Sequence, residues 1–524
     1  MLDKESGSDV HAFRRGDFAI LCAIAIFAVF FRLSTLMMIH TGVDEKDYWI
    51  SAKAIAFGLS YPPLIHRTVR FGVILPVAAA QRLFGEEPNV YYVLPVLNAA
   101  IQAGLAFLLG RRVRGRVCGV LAALFLILFP YMIRAGSQVR PEIFSVTYVL
   151  AGLLCFLAYL ERAEIREEIG EAGQDASGLG ALMGACVFFF AAYESTVTNL
   201  FFVPGLVIVM LARRRPLREI AIFVGMLAVF FAAETALYAA FTPFKLGQLQ
   251  VIARSHLEDN ESLRAVGLAD LFKRYARPYL QLYWQVPFAL FAAATAWYAI
   301  RRKGRDVAVL AAAAFGFFVC LTFAVKSIRP IVPAEPFINR YFTSVLAPVA
   351  VVLAAAAAEL GQGVFRRLFQ RRGVPSPSLI VVLLGAGALV TAAFFSSSVL
   401  PRGMSDYAHS LFKLSDHPLA LTGLYRAQVD KAWDEGEPIV SVLGAAGGGA
   451  LEACRGFFLS LSRYPGGKAP QISEGSAGGT VCLVLLRSGS PDSAPVVLAA
   501  IRTPFRLKQI ETASVARLQG EAFP

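Results

Sequence analysis

The sequence predicts an all-α polytopic membrane domain over residues 1–400, followed by a small α/β domain outside the membrane over residues 401–524. Three observations carry that prediction. Hydrophobic residues make up 56% of the chain, charged residues only 17%, and the mean hydropathy is +0.58; a soluble domain averages about 45–50% apolar and about 25% charged. The apolar runs are about 20 residues long, the length a helix needs to cross a hydrocarbon core of about 30 Å, whereas a β-barrel alternates weakly over segments of about ten residues. After Pro401 the composition turns to Gly, Ser and Pro between short apolar runs.

Hydropathy places about eleven crossings in the first 400 residues. They are Phe18–Ile39, Val90–Gly110, Val117–Ile133, Glu142–Leu160, Leu179–Tyr193, Thr196–Leu211, Ile220–Phe241, Tyr279–Ile300, Val307–Lys326, Asn339–Leu360 and Ser378–Leu400. The short fifth and sixth are alternatively one hairpin that stops inside the bilayer. Phe71 to Phe84, short and interrupted by Pro76, reads as an interfacial helix. Phe18–Ile39 is too long for a removable signal peptide and has no small-residue cleavage site. Of seven cysteines, Cys22, Cys118, Cys155, Cys186 and Cys320 lie in apolar runs without metal-ligand spacing and read as packing.

The formal charge of +13 does not imply a nucleic-acid partner, because the basic residues cluster at helix ends. Arg14-Arg15, Arg111-Arg112 with Arg114 and Arg116, Arg213 to Arg215, Arg301 to Lys303 and Arg366-Arg367 fall on one side, which the positive-inside rule makes cytoplasmic. The N-terminus is then inside, and residues after Pro401 are outside. A second set, Arg67, Arg70, Arg134, Arg140, Arg254, Arg274, Arg277, Lys326, Arg329 and Arg340, maps to the outer face. Each is singly readable as an interfacial anchor. Together they point to an anionic ligand there, best a phosphate or pyrophosphate joined to lipid, which Arg and Lys clamp through charge-assisted hydrogen bonds.

The chain turns on Gly42-Val43-Asp44-Glu45-Lys46-Asp47-Tyr48-Trp49, where the first apolar run meets water and a loop rich in Arg, His, Tyr and Pro begins. Lys46 and Asp47 read as facing water. Asp44-Glu45-x-x-Tyr48, with Ala52, Ala56 and Gly58, resembles the start of the first outer loop in GT-C glycosyltransferases. The similarity is to the branch holding protein O-mannosyltransferases and bacterial lipid A aminoarabinose transferases. It continues through Arg70-Phe71-Gly72, Leu83-Phe84-Gly85, Gly110-Arg111-Arg112, Pro130, Arg140-Pro141-Glu142 and Arg340-Tyr341. The resemblance implies many transmembrane helices, interfacial helices in the first outer loop, a polyprenyl-phosphate-linked sugar donor and transfer on the non-cytoplasmic side. Two positions depart from it. Tyr193-Glu194-Ser195-Thr196 stands where the family often carries a Lys, and Glu142 stands where Asp is commoner.

The chemistry expected is single displacement with inversion. Asp44 is the candidate general base, and Glu45 orients the loop or binds sugar hydroxyls. Candidate substrate-binding residues are Tyr48, His66, Arg67, Arg70, Arg140, Glu142, Glu194, Lys326, Arg329, Arg340 and Tyr341. Of these, Arg70, Arg140, Lys326 and Arg340 are expected to stabilise the departing phosphate. Simpler readings stand beside them: a helix cap for Asp44, a first-turn acid for Glu142, an interfacial anchor for Arg340 and a surface hydrogen bond for His66. Asp44, Glu45 and Glu142 are oxygen ligands of the type a divalent cation takes, but no His or Asp cluster demands one, and no metal or cofactor is expected. The expected partners are the lipid-linked donor, a lipid, glycan or protein acceptor, and membrane lipid. A transporter or flippase of a lipid-linked saccharide is the alternative; such proteins show ionisable residues at mid-membrane and paired broken helices, and here Glu234 is the main intramembrane acid.

In residues 401–524, Ile439–Leu443 and Val481–Leu486 read as strands, and Leu421–Trp433 and Ala494–Arg502 as helices. Gly444 to Gly449 reads as a flexible turn, since it lacks the Lys-Ser/Thr of a phosphate loop. Cys454 and Cys482 are either a disulfide or two thiols.

Overall fold

Helices organise the first 370 residues, and each begins or ends where the sequence changes from apolar to charged. A computed structural model describes residues 15–36, 43–85, 88–169, 176–259, 267, 269, 282–302, 304–323, 325–328, 331–333 and 339–369, with five short strands between 439 and 508. In chain order the helices are α1 (Arg15–Ser34), α2 (Val43–Phe57), α3 (Phe71–Phe84), α4 (Val93–Arg114), α5 (Arg116–Leu128), α6 (Pro130–Ala135), α7 (Pro141–Ile169) and α8 (Ala176–Ser195). They are followed by α9 (Phe202–Ala212), α10 (Leu217–Phe241), α11 (Gln248–Asp259), α12 (Leu282–Arg301), α13 (Arg305–Phe323) and α14 (Leu346–Phe369). Short 3-10 turns, Pro88–Tyr92, Val197–Phe201 and Asn339–Val345, lead into α4, α9 and α14.

Seven stretches among the described residues are long and apolar enough to cross a membrane, which makes the chain an integral, multi-pass membrane protein. Two predicted crossings are divided into shorter pieces. Val117–Ile133 is broken at Phe129-Pro130 into α5 and α6 because proline supplies no donor to continue the helix. Thr196–Leu211 divides into a 3-10 turn and the eleven-residue α9. Tyr279–Ile300 falls on α12 (Leu282–Arg301), which contains Pro287. The run Val307–Lys326 ends at Phe323, and Lys326 sits instead in β1 (Val325–Ile328), antiparallel to β2 (Ile331–Pro333). Ser378–Leu400 lies outside the described residues.

The span Arg340–Gln362 has 89% of its apolar window buried and occupies the bundle centre, while Leu217–Phe241, at 17%, lies at its edge. Around the central helix, α4, α5, α7, α8, α9 and α13 pack through Phe107, Leu121, Phe156, Phe189, Phe202 and Phe317. Gly115, at φ +83°, makes the reversal between α4 and α5 in a conformation that a side chain resists.

The basic helix ends are paired with acids at one end of the bundle. Arg111 and Arg116 hold the buried Asp17, Arg112 meets Glu161, Arg114 and Arg301 share Glu359, and Arg213 meets Glu164. The residues singled out around Asp44 lie at the other end, where α7 begins, α8 ends and the turn before α14 starts.

In the C-terminal part the described strands β3 (Ile439–Gly444), β4 (Glu474–Gly475), β5 (Cys482–Arg487), β6 (Val496–Arg502) and β7 (Arg506–Lys508) form one sheet in the order β4-β3-β5-β6-β7. β3 and β5 fall on the two predicted strand runs and pair antiparallel. Ala494–Arg502, expected as a helix, is instead the strand β6 (Val496–Arg502), consistent with the β-branched Val496, Val497 and Ile501. Leu421–Trp433, Ala445 to Gly449 and Cys454 lie outside the described residues.

Candidate active site

Asp44 and Glu45 belong to a helix, not to the start of an open loop. They occupy the first turn of α2, where carboxylates complement the positive helix end. That accounts for the simpler cap-like reading without exhausting it, because both side chains also bond far across the chain. Gln81 Nε2 on α3 donates to the Trp49 carbonyl at 3.3 Å and fixes α2 against α3. Tyr48 and Trp49 are buried in the same small core as Val73, Tyr91 and Ile143.

Asp44 lies between three guanidinium groups. Arg340 Nη1 donates to its Oδ2 at 2.8 Å, and Arg67 Nη1 is 3.6 Å from Oδ1. Burial pushes the Asp44 carboxyl up, but Arg340, then Arg70 and Arg67, outweigh it and hold the group below the ordinary aspartate range. Glu45 points the other way. Its side chain is 1% exposed and accepts a 2.6 Å bond from Arg140 Nε, yet burial still pushes its carboxyl up. Two adjacent acids therefore have opposite environments.

Arg340 also lies 3.9 Å from Glu142 Oε1, and its guanidinium carbon is 5.9 Å from the centre of the Tyr341 ring. Glu142 follows Pro141 at the start of α7, a helix start that proline favours. Its Oε2 is buried without a hydrogen-bond partner among the described residues. The Tyr91 hydroxyl accepts from the Val139 amide at 2.9 Å and positions the segment that carries Arg140. Asp47, expected to face water, instead accepts from Arg67 Nε at 2.5 Å with its side chain only 17% exposed. Three residues after Asp44 on α2, it lies on the same helix face as Asp44.

Arg70 stands apart from the other cations. It is 8% exposed, its Nε donates to the His66 carbonyl at 3.2 Å, and it forms no ion pair with a carboxylate among the described residues. Burial lowers its proton affinity, but its surroundings, Asp44 among them, outweigh burial and the repulsion of Arg340. A buried guanidinium usually has a partner, since unpaired charge away from water is costly. The hydroxyl of Tyr48, fully buried near Arg70, likewise has no hydrogen-bond partner among the described residues.

His66 is buried, with Nδ1 2.8 Å from Ser255 Oγ and Nε2 3.5 Å from Arg67 Nη1. It is a hydrogen-bonded wall residue joining the first loop to α11. Glu194 is buried near the end of α8, close to Glu234 and apart from the ion pairs around Asp44. The backbone of Lys326 is in β1, the side chain is not among the described ones, and Arg329 lies outside the described residues. The structure therefore brings together Asp44, Glu45, Tyr48, Arg67, Arg70, Arg140, Glu142, Arg340 and Tyr341.

A narrow cleft is lined by Arg70, Tyr341, Tyr193, Thr196 and Gln248. Of these only Arg70 and Tyr341 were recognisable from sequence as site residues. Gln248 follows the positive-φ Gly247 at a helix start, a weak signal in a long polar loop. No group of three or more His, Cys, Asp or Glu among the described residues is arranged to hold a metal.

No protein-family model matches the chain, and no curated protein matches it. Among solved structures it is similar to the oligosaccharyltransferase AglB from Archaeoglobus fulgidus, in complex with an inhibitory peptide and a dolichol-phosphate. That likeness has 13% identity and a TM-score of 0.48, over 74% of this chain and 56% of that one. It is also similar to ArnT from Cupriavidus metallidurans bound to undecaprenyl phosphate, at 16% identity and a TM-score of 0.47, over 89% of this chain and 87% of that one. The apo state of ArnT gives 16% identity and a TM-score of 0.45, over 74% and 78%. The chain spans little more than half the length of the archaeal protein.

Proposed function

We propose that the chain is a membrane glycosyltransferase moving a monosaccharide from a polyprenyl-phosphate donor to an acceptor hydroxyl on the non-cytoplasmic side. One observation carries the reading. Arg70, a buried guanidinium with no carboxylate ion pair among the described residues, lies within electrostatic reach of a carboxylate held ionised by its neighbours, Asp44. A phosphate supplies the charge that Arg70 lacks, and an ionised carboxylate is the group that accepts a proton from an attacking hydroxyl. The Asp-Glu-x-x-Tyr resemblance points the same way.

In the proposed reaction the acceptor oxygen attacks the anomeric carbon as its proton passes to Asp44. The carbon–oxygen bond to phosphate breaks, and polyprenyl phosphate leaves with the electron pair. One displacement inverts the anomeric centre. Arg70 faces the charge that builds on the phosphate, and fixed cations at such a point are often the largest catalytic contribution. Arg340 serves first as the partner of Asp44 and is shared with Glu142. Glu45 and Arg140 brace the turn that carries Asp44. Neutral Tyr48, its hydroxyl pushed well above the ordinary phenol range by burial, is a donor toward the phosphate.

The test is Asp44→Asn in the full chain. Binding of a polyprenyl-phosphate sugar should persist while turnover falls by about 10²–10⁴-fold, the worth of a placed general base. Undiminished turnover, or product that retains the donor's anomeric configuration, would overturn the assignment.

A further inference from the structure

His66 lies beside the Asp44 cluster, is 6% exposed, and takes no part in the proposed displacement. It belongs to a turn knit by its own polar groups. The Ile65 amide donates to Thr68 Oγ1 at 2.9 Å, Thr68 Oγ1 donates to the Pro63 carbonyl at 2.8 Å, and the Tyr61 hydroxyl donates to the Thr68 carbonyl at 2.6 Å. Val69 shares an apolar core with Val251 and Ile252 of α11, which seats the turn on that helix without the histidine ring. What the ring adds is polar. Its Nδ1 is 2.8 Å from the buried Ser255 Oγ on α11, and its Nε2 is 3.5 Å from Arg67 Nη1. The His66 carbonyl accepts from Arg70 Nε at 3.2 Å. One residue therefore touches both Arg67 and Arg70.

Donor and acceptor chemistry fixes the state of that ring. A guanidinium carries donors and no acceptor, so the Nε2 that meets Arg67 has to accept and bears no proton. A neutral imidazole is protonated at a single nitrogen, which is then Nδ1, donating to Ser255 Oγ. A proton on Nε2 would set N–H against N–H. The Arg67 atom that meets His66 is also the one that meets the candidate base. Nη1 is 3.6 Å from Asp44 Oδ1, while Nε holds Asp47 Oδ2 at 2.5 Å. Arg67 thus has three partners, and Ser255, 189 positions along the chain from His66, selects which ring nitrogen is free to be one of them.

We propose that His66 is a positioning residue for the candidate base, kept by Ser255 as the Nδ1–H tautomer so that its bare Nε2 fixes the Arg67 guanidinium between Asp44 and Asp47. Its consequence for turnover rests on the transferase reading; the tautomer does not. Arg67 is one of the groups that hold the Asp44 carboxyl down, so a loosened Arg67 acts on the chemistry through Asp44.

The experiment begins with nitrogen NMR of the full chain, labelled at histidine and embedded in lipid bilayers at neutral pH. His66→Gln identifies the His66 signals by their loss. A protonated Nδ1 with a bare Nε2 is expected, and a bare Nδ1 or an imidazolium overturns the proposal. Two substitutions then separate the ring atoms. His66→Gln places an amide oxygen near the position of Nε2 and keeps an acceptor for Arg67. His66→Asn places an amide nitrogen near Nδ1 and keeps the tie to Ser255 alone. Turnover is followed as release of undecaprenyl phosphate from that lipid linked to glucose, mannose, galactose or arabinose. On the sugar that wild type consumes, His66→Gln should retain about three- to tenfold more turnover than His66→Asn, the worth of one hydrogen bond. The acid limb of kcat/KM should rise in His66→Asn, by less than in Arg340→Gln because Arg340 is the larger influence on Asp44. Ser255→Ala, which frees the proton to move to Nε2, should lower turnover in the same direction as His66→Asn. A residue that merely joins the loop to α11 predicts the reverse order, with His66→Asn the better enzyme. Either that order or equal turnover in the two variants sinks the positioning role and leaves the transferase reading standing. If wild type consumes none of the four sugars, the transferase reading falls and takes this role with it.

Discussion

Arg340 Nη1 donates to Asp44 Oδ2 at 2.8 Å, closing a contact between residues 296 positions apart. It joins the first turn of α2 to the turn that leads into the most buried span, so the candidate base is referenced to the rigid centre of the bundle. The consequence is electrostatic as well as mechanical. Arg340 is the largest of the influences that lower the Asp44 carboxyl against its own burial.

The acid side of the pH–rate profile should therefore depend on Arg340. With Asp44 below its ordinary value of 3.8, turnover limited by this base stays high at neutral pH and falls only as pH drops through the lowered value. In Arg340→Gln the burial effect is less opposed, so the acid limb should move upward on whatever activity remains. A profile of kcat/KM against pH for the two proteins checks this, and an unmoved limb would exclude Asp44 as the titrating base.

Stability should follow the same sign. Because the folded-state value of Asp44 is lowered, its ionised form stabilises the fold fully above the unfolded value, and that contribution is lost as pH falls through the folded one. Thermal unfolding of Asp44→Asn should show a flatter dependence on pH over the acid range than wild type. Parallel curves would mean that the Asp44 cluster contributes nothing to acid sensitivity.

The Glu45–Arg140 pair should respond unequally to loss of either partner. Glu45 is 1% exposed and Arg140 24%. Arg140→Met strands a buried carboxylate, a change that costs about 3–5 kcal/mol. Glu45→Gln leaves a guanidinium with access to water and should cost less. The double change Glu45→Met with Arg140→Met should recover much of the loss, because desolvating two ions offsets most of their attraction. Melting temperatures in one detergent decide the order.

How much of this was legible in the sequence follows from distance along the chain. Asp44 and Glu45 stood out because two acids meet an apolar run, and Arg140-Pro141-Glu142 because proline marks a helix start. Asp47 did not, since nothing local says that Arg67, twenty residues on, turns the side chain inward. Gln248 was invisible for a similar reason. Its burial depends on α11 folding against Tyr238 and Val69, a contact between elements with no shared pattern. The crossing expected over Val117–Ile133 runs through Pro130, and the break there shows only in the fold. Ala494–Arg502 misled because its apolar spacing suits a helix or a buried strand, and pairing with β5 and β7 decides between them.

The junction of α3 and α8 should be intolerant of added volume. A Cβ at Gly72 would lie 2.3 Å from Ser195 Oγ and 2.6 Å from the Ala191 carbonyl oxygen. Since one of these is backbone, α3 must move away from α8. Gly72→Ala should cost about 1–3 kcal/mol, the usual range for overpacking, and should weaken donor binding because Arg70, two residues before Gly72, and Thr196, next to Ser195, both line the cleft. Normal melting together with normal donor affinity would show that the two helices are free to separate at this point.

Asp17 provides the complementary prediction at the other end of the bundle. It is fully buried in the first turn of α1, 3.0 Å from Arg111 Nη2 and paired with Arg116 Nε, so it ties α1 to the reversal between α4 and α5. Asp17→Asn removes the charge while Arg111 and Arg116 remain. Arg116, with its side chain 47% exposed, is relieved by water; Arg111, at 12%, is not. The expected result is a clear loss of melting temperature with kcat/KM of the folded fraction unchanged, since Asp17 touches none of the groups around Asp44. If Asp17→Asn lowers turnover at full stability, the two ends of the bundle are coupled, and the chemistry is not confined to the Asp44 cluster.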